Sequence, residues 1–309
     1  MRPGHILLAL ATVMTWGFNY AVIAWGLQGL PPVLFAVLRF GLAAFPLVLF
    51  VKRPRAPWHW LVGHALSMFV LQFVFLYVGI KSGMPAGLSS LVIQCQAFFT
   101  MALASRFLDE LPRPVQVIGA AIALGGIVLV GTHVGPRASL LGFALVIAAG
   151  FAWGMGNLCT KRMGDVDALG LVAWNSLLAT PVLLVAALVL EGPSTLVQAM
   201  GSFSWKSVAI VLFQAYPATV FCFGAWSYLL HRYPTATVAP FSLLVPVFGM
   251  LSGVVFLGEP MAWWKAGAAI LVVGGDPDES LYATFTGLAA YAYWVLRTEG
   301  LPPEGIRFF

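Results

Sequence analysis

Long apolar stretches, separated by short polar segments, run along almost the whole chain. A bilayer core about 30 Å thick requires about 20 mostly apolar residues in each helix that crosses it. Stretches that reach or approach this length lie at Ile6–Leu27, Pro31–Val51, Trp60–Ile80, Pro85–Phe107, Val115–Gly131, Leu140–Cys159, Leu169–Leu190, Ser207–Leu230, Thr235–Leu257 and Trp264–Gly275. Most connections are short, so neighbouring helices should run antiparallel. The pattern predicts an all-α integral membrane protein, a bundle of ten helices.

The composition indicates that lipid is the solvent for most of these residues. Hydrophobic residues make up 61% of the 309 positions and charged residues 9%, whereas a soluble domain carries roughly 25% charged residues. The net charge of +5 does not indicate a nucleic-acid partner, because the basic residues lie between apolar stretches. With the N-terminus in the cytoplasm, that side receives nine of them (Arg2, Lys52, Arg53, Arg55, Arg106, Arg113, Lys161, Arg162 and Arg232) and the other side four (Lys81, Arg137, Lys206 and Lys265). The positive-inside rule therefore predicts a cytoplasmic N-terminus.

The two halves of the chain, residues 1–135 and 136–275, resemble each other. Thr15-Trp16-Gly17 recurs as Ala152-Trp153-Gly154, and each is followed by an asparagine, Asn19 or Asn157. The fourth and ninth stretches align without a gap, so that Pro85 matches Pro234, Phe99 matches Phe248 and Met101 matches Met250. A repeat of five helices, an odd number, must be inverted in the membrane relative to its copy. Transporters often have this architecture, with the substrate site at the repeat interface near the midplane.

The second half departs from this symmetry at its end. Gly274-Gly275 is followed by Asp276-Pro277-Asp278-Glu279, so the tenth apolar stretch has only twelve residues. At 1.5 Å per residue it spans about 18 Å and is truncated. We expect residues 276–309 to be an atypical tail, helical over Pro277–Leu296, that resembles the second-helix region of microbial rhodopsins and plays no part in transport. No mid-span lysine is present to bind retinal, and we expect no cofactor.

Several motifs in a fixed order make the chain resemble the EamA branch of the drug/metabolite transporter superfamily, and within it bacterial exporters of amino acids and their metabolites. They are Trp16-Gly17-Phe18-Asn19-Tyr20, Leu38-Arg39-Phe40, Gly83-Met84-Pro85-Ala86-Gly87-Leu88, Gln94-Cys95-Gln96-Ala97-Phe98-Phe99 and Val238-Ala239-Pro240-Phe241-Ser242-Leu243-Leu244-Val245-Pro246. The resemblance covers most of residues 1–275. It implies a ten-helix fold of two five-helix halves, export across the bacterial inner membrane, and a central cavity. It does not assign the substrate.

Arg39 is the charged residue that lies well inside an apolar stretch. Such a residue costs at least a few kcal/mol in a bilayer and marks a functional site by default. Its guanidinium could bind a substrate carboxylate through two parallel hydrogen bonds. Alternatively, Arg39 is structural and is held by backbone carbonyls or a helix end.

Two glutamines on the fourth stretch, Gln94 and Gln96, are further candidates. They are two residues apart, about 200° around an α-helix, so only one is expected to face the cavity. Gln94 shares a face with Ser90, and both could bind an amino acid. The alternative is hydrogen bonding between helices, which commonly joins membrane helices.

Each half also places a tryptophan and an asparagine on one helical face, Trp16 with Asn19 and Trp153 with Asn157. Such a face could bind a zwitterion by stacking and hydrogen bonding. It could equally be packing, which is the favoured interpretation for the tryptophans. Weaker candidates for the same wall are Gln72, Asn175, Gln214 and Ser242.

Enzyme and pump motifs do not occur in the sequence, which has no HExxH, no Walker loop and no GxSxG. Cys95, Cys159 and Cys222 lack metal-site spacing and are expected to be packing residues. We therefore expect a secondary exporter, working as a monomer in the lipid bilayer on a small-molecule substrate such as an amino acid or metabolite. The alternatives are a membrane-embedded enzyme acting on lipid, a non-transporting scaffold, and an exporter of unrelated metabolites or drugs. Because no acid lies mid-span, we expect a facilitator, or coupling through a group other than a buried acid.

Overall fold

A computed structural model describes residues 1–108, 114–132, 139–164, 166–233, 238, 241–242 and 244–274. Within them the chain is helical and contains no β-strand. The main helices are α1 (Pro3–Gly29), α2 (Pro32–Ala44), α3 (Trp58–Lys81), α4 (Ala86–Phe107), α5 (Pro114–Thr132), α6 (Leu140–Met163), α7 (Ala168–Leu190), α8 (Trp205–Leu229), α9 (Leu244–Leu257) and α10 (Trp263–Gly274). A short helix, Pro193–Gly201, lies between α7 and α8.

Seven of these helices are long and apolar enough to cross a membrane: α1, α3, α4, α6, α7, α8, and α2 together with the 3₁₀ turn Leu47–Leu49 that follows it. Of the rest, α10 is described only as far as Gly274, so the truncation of the tenth span stays a prediction. The predicted start of the ninth span, residues 235–243, lies largely outside the described residues, as does the whole tail 276–309.

The largest helix interfaces join the two halves of the chain. α3 packs against α6, α2 against α7, α1 against α9, α4 against α6, and α5 against α10. Two glycines make such close packing possible. A Cβ atom on Gly17 would lie 2.3 Å from Phe248 Cβ, and one on Gly154 would lie 2.9 Å from Phe99 Cβ. These two contacts, α1 to α9 and α6 to α4, involve the residues that the sequence repeat pairs with each other.

Two helix N-termini in the first half of the chain are capped by glutamate side chains from the second half. α2 has Pro31 at its N-cap, which offers no side-chain acceptor, and the Glu191 carboxylate accepts hydrogen bonds from Val33 N (2.6 Å) and Leu34 N (3.0 Å) instead. A carboxylate is favourable there because the first N–H groups of a helix lack partners and carry its positive dipole end. Burial raises the pKa of Glu191, and these two hydrogen bonds oppose that rise.

Glu259 caps the N-terminus of α4 in the same way. Gly258, with a φ of 65°, turns the chain after α9 so that the Glu259 carboxylate accepts a hydrogen bond from Gly87 N (3.2 Å). The Glu259 side chain is half-buried, and burial raises its pKa, against the effects of the Gly87 N–H and of Lys265. Glu110, the matching residue of the first half, lies outside the described residues.

Segments of π-helix interrupt α3 at Ala65–Leu71 and α8 at Tyr216–Phe221. In α8 the Thr219 hydroxyl donates to Gln214 O at 2.7 Å, a bond over five residues. Residues five apart point about 140° apart on an α-helix, but only about 50° apart where a turn holds about 4.4 residues. The π-helical segment therefore brings Gln214 and Thr219 to one side of α8.

Candidate functional site

A cavity of about 390 Å³ lies between the two halves. Most of its wall is apolar and aromatic, and the polar groups are few. The lining residues are Trp16, Asn19, Tyr20, Ile23, Arg39, Phe40, Met68, Phe69, Gln72, Phe73, Leu76, Gln94, Gln96, Trp153, Phe223, Trp226, Ser242 and Val245. An apolar wall with a few convergent polar groups is typical of a small-molecule binding site.

Eight of the twelve candidate site residues line this cavity. They are Arg39, Gln94, Gln96, Asn19, Trp16, Trp153, Gln72 and Ser242. The other four, Ser90, Asn157, Asn175 and Gln214, do not. The eight residues in the cavity wall lie close enough to act on one substrate. That they bind substrate stays a prediction.

Arg39 is fixed in the cavity wall by hydrogen bonds to three other side chains. Its Nη1 donates to Gln214 Oε1 at 2.6 Å and to Tyr77 OH at 3.0 Å, and its Nε donates to Thr219 Oγ1 at 3.0 Å. The guanidinium carbon also lies 4.3 Å from the centre of the Phe73 ring. All these partners are uncharged, and no cavity-lining residue among those described carries a carboxylate. The positive charge of Arg39 is therefore positioned by the protein without being neutralised there.

The prediction that Gln94 and Gln96 cannot both face the cavity was wrong, since both line it. Ile93–Cys95 form a 3₁₀ turn between two α-helical parts of α4. Such a turn advances about 120° per residue, so the two side chains diverge by about 120° instead of about 160°. Two long side chains with this divergence can flank one space.

The prediction for Ser90 also needs correction. Ser90 is buried between α4 and α9, where its hydroxyl donates to Gly87 O at 2.6 Å and lies 3.4 Å from Pro246 O. The α9 backbone approaches it so closely that a Cβ on Gly249 would lie 2.3 Å from Ser90 Oγ. Ser90 is therefore a helix-packing residue, because the absence of a side chain at Gly249 lets α9 cover it.

Asn157 was also predicted to line the cavity, and this was wrong: it lies behind the residues that form the cavity wall. Its Nδ2 donates to Gln96 Oε1 and to Thr100 Oγ1, both at 3.0 Å. Asn157 therefore orients Gln96. Asn19, its counterpart in the first half, does line the cavity, and its Oδ1 has no hydrogen-bond partner among the described residues.

The aromatic wall was only partly predicted from the sequence. Trp16 donates from Nε1 to Ala218 O at 3.1 Å, and its ring centre lies 5.6 Å from that of Phe223 and 5.5 Å from that of Trp226. Both tryptophans expected to be packing residues also face the cavity. Phe223 and Trp226 could have been predicted from the sequence, because residues three apart lie on one face of a helix.

Metal binding finds no support in the part of the chain that the structure describes. No three His, Cys, Asp or Glu side chains there come together in a way that could hold an ion. The three cysteines are free and buried.

The model of the EamA-like transporter family matches residues 4–132 and again residues 140–275. The chain belongs to this family. It is a multi-pass membrane protein and a transporter, as its sequence predicted, and not an enzyme.

Relatives of known organisms agree with this assignment. The chain is 41% identical over 274 residues to a "Probable amino-acid metabolite efflux pump" of Salmonella typhimurium, covering 87% of this chain and 92% of that protein. It is 38% identical over 292 residues to a protein of the same description from Escherichia coli K12, covering 91% and 95%. A crystal structure of a protein 19% identical in sequence matches with a TM-score of 0.63 over 92% of this chain and 97% of the other, and supports the fold alone.

Proposed function

We propose that this protein is a secondary transporter that exports amino acids or related small metabolites across the bacterial inner membrane by alternating access. The observation that carries the proposal is Arg39, a buried cation in the cavity wall whose described partners are all uncharged. Because Nε and Nη1 donate to protein side chains, a substrate carboxylate would meet this cation through the N–H donors of Nη2. The names of the two bacterial relatives point to the same substrate class.

Acceptors for the amino end of such a substrate lie in the same wall. Asn19 Oδ1 and Gln72 Oε1 have no hydrogen-bond partner among the described residues, and both residues line the cavity. An ammonium group offers three donors. A buried carbonyl oxygen without a donor costs about 1–3 kcal/mol, so pairing two of them with one ammonium would favour a zwitterion over a neutral solute.

Two inverted five-helix repeats are the architecture we infer for this transporter, with the N-terminus in the cytoplasm. The family model matches each half separately. Contacts between the halves also come in related pairs, Gly17 with Phe248 and Gly154 with Phe99. The cavity at the interface of the halves is where such repeats place their substrate. Rocking of one half against the other would open it to each side in turn.

Export is tested in cells that overproduce the protein and are exposed to toxic amino-acid analogues. The wild type should raise resistance, and Arg39→Gln should abolish that gain at equal protein level, because the carboxylate loses its cation. Arg106→Gln changes an exposed arginine outside the cavity wall and should keep the gain. Full resistance in the Arg39→Gln cells would contradict the assigned role. Resistance to unrelated drugs only would favour the broader exporter instead.

A further inference from the structure

Gln214 of α8 is fully buried beside Arg39, behind the residues that line the cavity. Its Oε1 accepts hydrogen bonds from Arg39 Nη1 at 2.6 Å and from Tyr77 OH at 3.3 Å. Its Nε2 is buried and has no hydrogen-bond partner among the described residues. Because a guanidinium donates and never accepts, the amide must turn its oxygen towards Arg39 and leave its NH₂ group unpaired.

The unpaired NH₂ group makes glutamine a costly residue at this position. A buried donor without a partner loses its hydrogen bonds to water and gains none in return. Glutamate has nearly the same shape, could accept the same two hydrogen bonds, and has no donor to leave unpaired. It would also give the buried guanidinium a counter-ion, and a buried charge without one is destabilising. For stability alone, glutamate would therefore suit this position better than Gln214 does.

The segment of α8 that follows Gln214 holds both sides of this contact in place. The Thr219 hydroxyl donates to Gln214 O at 2.7 Å, and its oxygen accepts a hydrogen bond from Arg39 Nε at 3.0 Å. One side chain thus fixes the backbone of Gln214 and the guanidinium together. A glutamate introduced in place of Gln214 would meet Arg39 where Oε1 lies now, without any change in the helix.

Acidic side chains in the described part of the chain are used elsewhere and do not neutralise Arg39. They are Asp167, Glu191 and Glu259, and each accepts a hydrogen bond at the N-terminus of a helix. Three groups that could carry a negative charge lie near enough to interact with Arg39: Tyr20, Tyr77 and Cys222. Phenols and thiols are protonated at neutral pH. The charge of Arg39 is therefore uncompensated by the residues described.

This uncompensated charge is available to the cavity that Arg39 lines. The N–H groups of Nε and Nη1 donate to protein side chains, so those of Nη2 remain for a solute. A solute with a carboxylate supplies the missing counter-ion, whereas a solute that carries only an ammonium group is repelled. A glutamate in place of Gln214 would neutralise Arg39 before any solute arrived.

We propose that Gln214 is a positioning residue that makes the cavity specific for solutes with a carboxylate, an inference that rests on the proposed export function. Its amide oxygen orients the guanidinium as a glutamate would, but its neutral charge leaves Arg39 without a counter-ion until a solute binds. The carboxylate of the solute then becomes that counter-ion. The unpaired Nε2 of Gln214 is the structural cost of this arrangement.

Gln214→Glu separates stability from binding, which a purely structural residue would change together. Without ligand, the variant in detergent should melt no lower than the wild type, because it gains a counter-ion and loses the unpaired donor. Amino acids that raise the melting temperature of the wild type should need concentrations at least about tenfold higher in the variant, since a hydrogen bond to a charged group is stronger than an ordinary one. Gln198→Glu, the same change at an exposed residue of the helix Pro193–Gly201, should behave as the wild type. Unchanged binding by Gln214→Glu, or a lower melting temperature of this variant, would overturn the proposal.

Gln214→Leu distinguishes the effect of charge from that of contact. The common amino acids are tested for stabilisation of the purified protein, and each that binds is compared with its decarboxylated amine. Leucine adds no negative charge, so Gln214→Leu should still prefer the amino acid to the amine, whereas Gln214→Glu should lose this preference. Equal loss of preference in both variants would overturn the proposal and leave the export function standing. A wild type that neither binds nor exchanges any common amino acid would remove the export function and this inference with it.

Discussion

Replacing Gly17 by alanine is expected to destabilise the protein at the interface of its two halves. The new Cβ would lie 2.3 Å from Phe248 Cβ and 2.9 Å from each of two backbone atoms of α9. Carbon atoms without a bond between them pack at about 3.5–4.0 Å, so α1 and α9 would have to separate by about 1 Å. Backbone atoms cannot rotate away as the end of a side chain can, so the clash cannot be relieved without moving one of the two helices.

The cost can be estimated from other overpacked interiors. One extra methyl group that displaces its surroundings costs about 1–3 kcal/mol. In a chain of this size that corresponds to a fall in melting temperature on the order of 5 °C. The change at Gly154 should be smaller, because its Cβ would lie 2.9 Å from Phe99 Cβ.

Melting temperature in detergent, followed by loss of the monodisperse peak on size exclusion, measures this effect. Gly125→Ala is the matched control, since a Cβ on this α5 glycine meets nothing within 4 Å and alanine favours a helix over glycine by about 1 kcal/mol. The predicted order of stability is Gly125→Ala, then Gly154→Ala, then Gly17→Ala. If Gly17→Ala were as stable as Gly125→Ala, the close approach of α1 and α9 would be refuted.

Three further changes test other parts of the account. Gln94→Leu should change the substrate profile with little loss of folded protein, because leucine is tolerated in a span; an unchanged profile would shift the role to Gln96. Because burial raises the folded-state pKa of Glu259 above the ordinary value of a glutamate, folding favours its protonated form, so melting temperature should rise as pH falls from neutral through that pKa. Glu259→Gln should flatten this part of the curve, and an unaltered pH dependence would contradict the buried cap. Deleting residues 276–309 should leave flux intact, whereas loss of flux with normal insertion would show that the tail completes the tenth span.

The helices were predictable because the bilayer fixes the length of an apolar segment. The stretch Leu169–Leu190 became α7 at Ala168–Leu190, and Leu140–Cys159 became α6 at Leu140–Met163. The added residues, such as Lys161 and Arg162, are polar and extend the helix beyond the apolar stretch. Hydropathy alone does not predict that extension.

The candidate site was predictable in composition but not in detail. Its polar residues stand out against an apolar background, so Arg39 and Asn19 could be picked from the sequence. The orientation of Gln94 relative to Gln96, and of Gln214 relative to Thr219, depends on a 3₁₀ turn and a π-helical segment. Neither segment changes the apolar periodicity of the sequence, although Pro217 lies inside the π-helical segment of α8.

Exchange by purified protein in liposomes tests the central claim most directly. Vesicles loaded with an unlabelled amino acid should take up the same amino acid in labelled form from outside, and the uptake should need the carboxylate that Arg39 is proposed to bind. The account predicts exchange of at least one amino acid or close metabolite, and none of the corresponding decarboxylated amine. Failure of a broad amino-acid panel, or equal exchange of the amine, would contradict it.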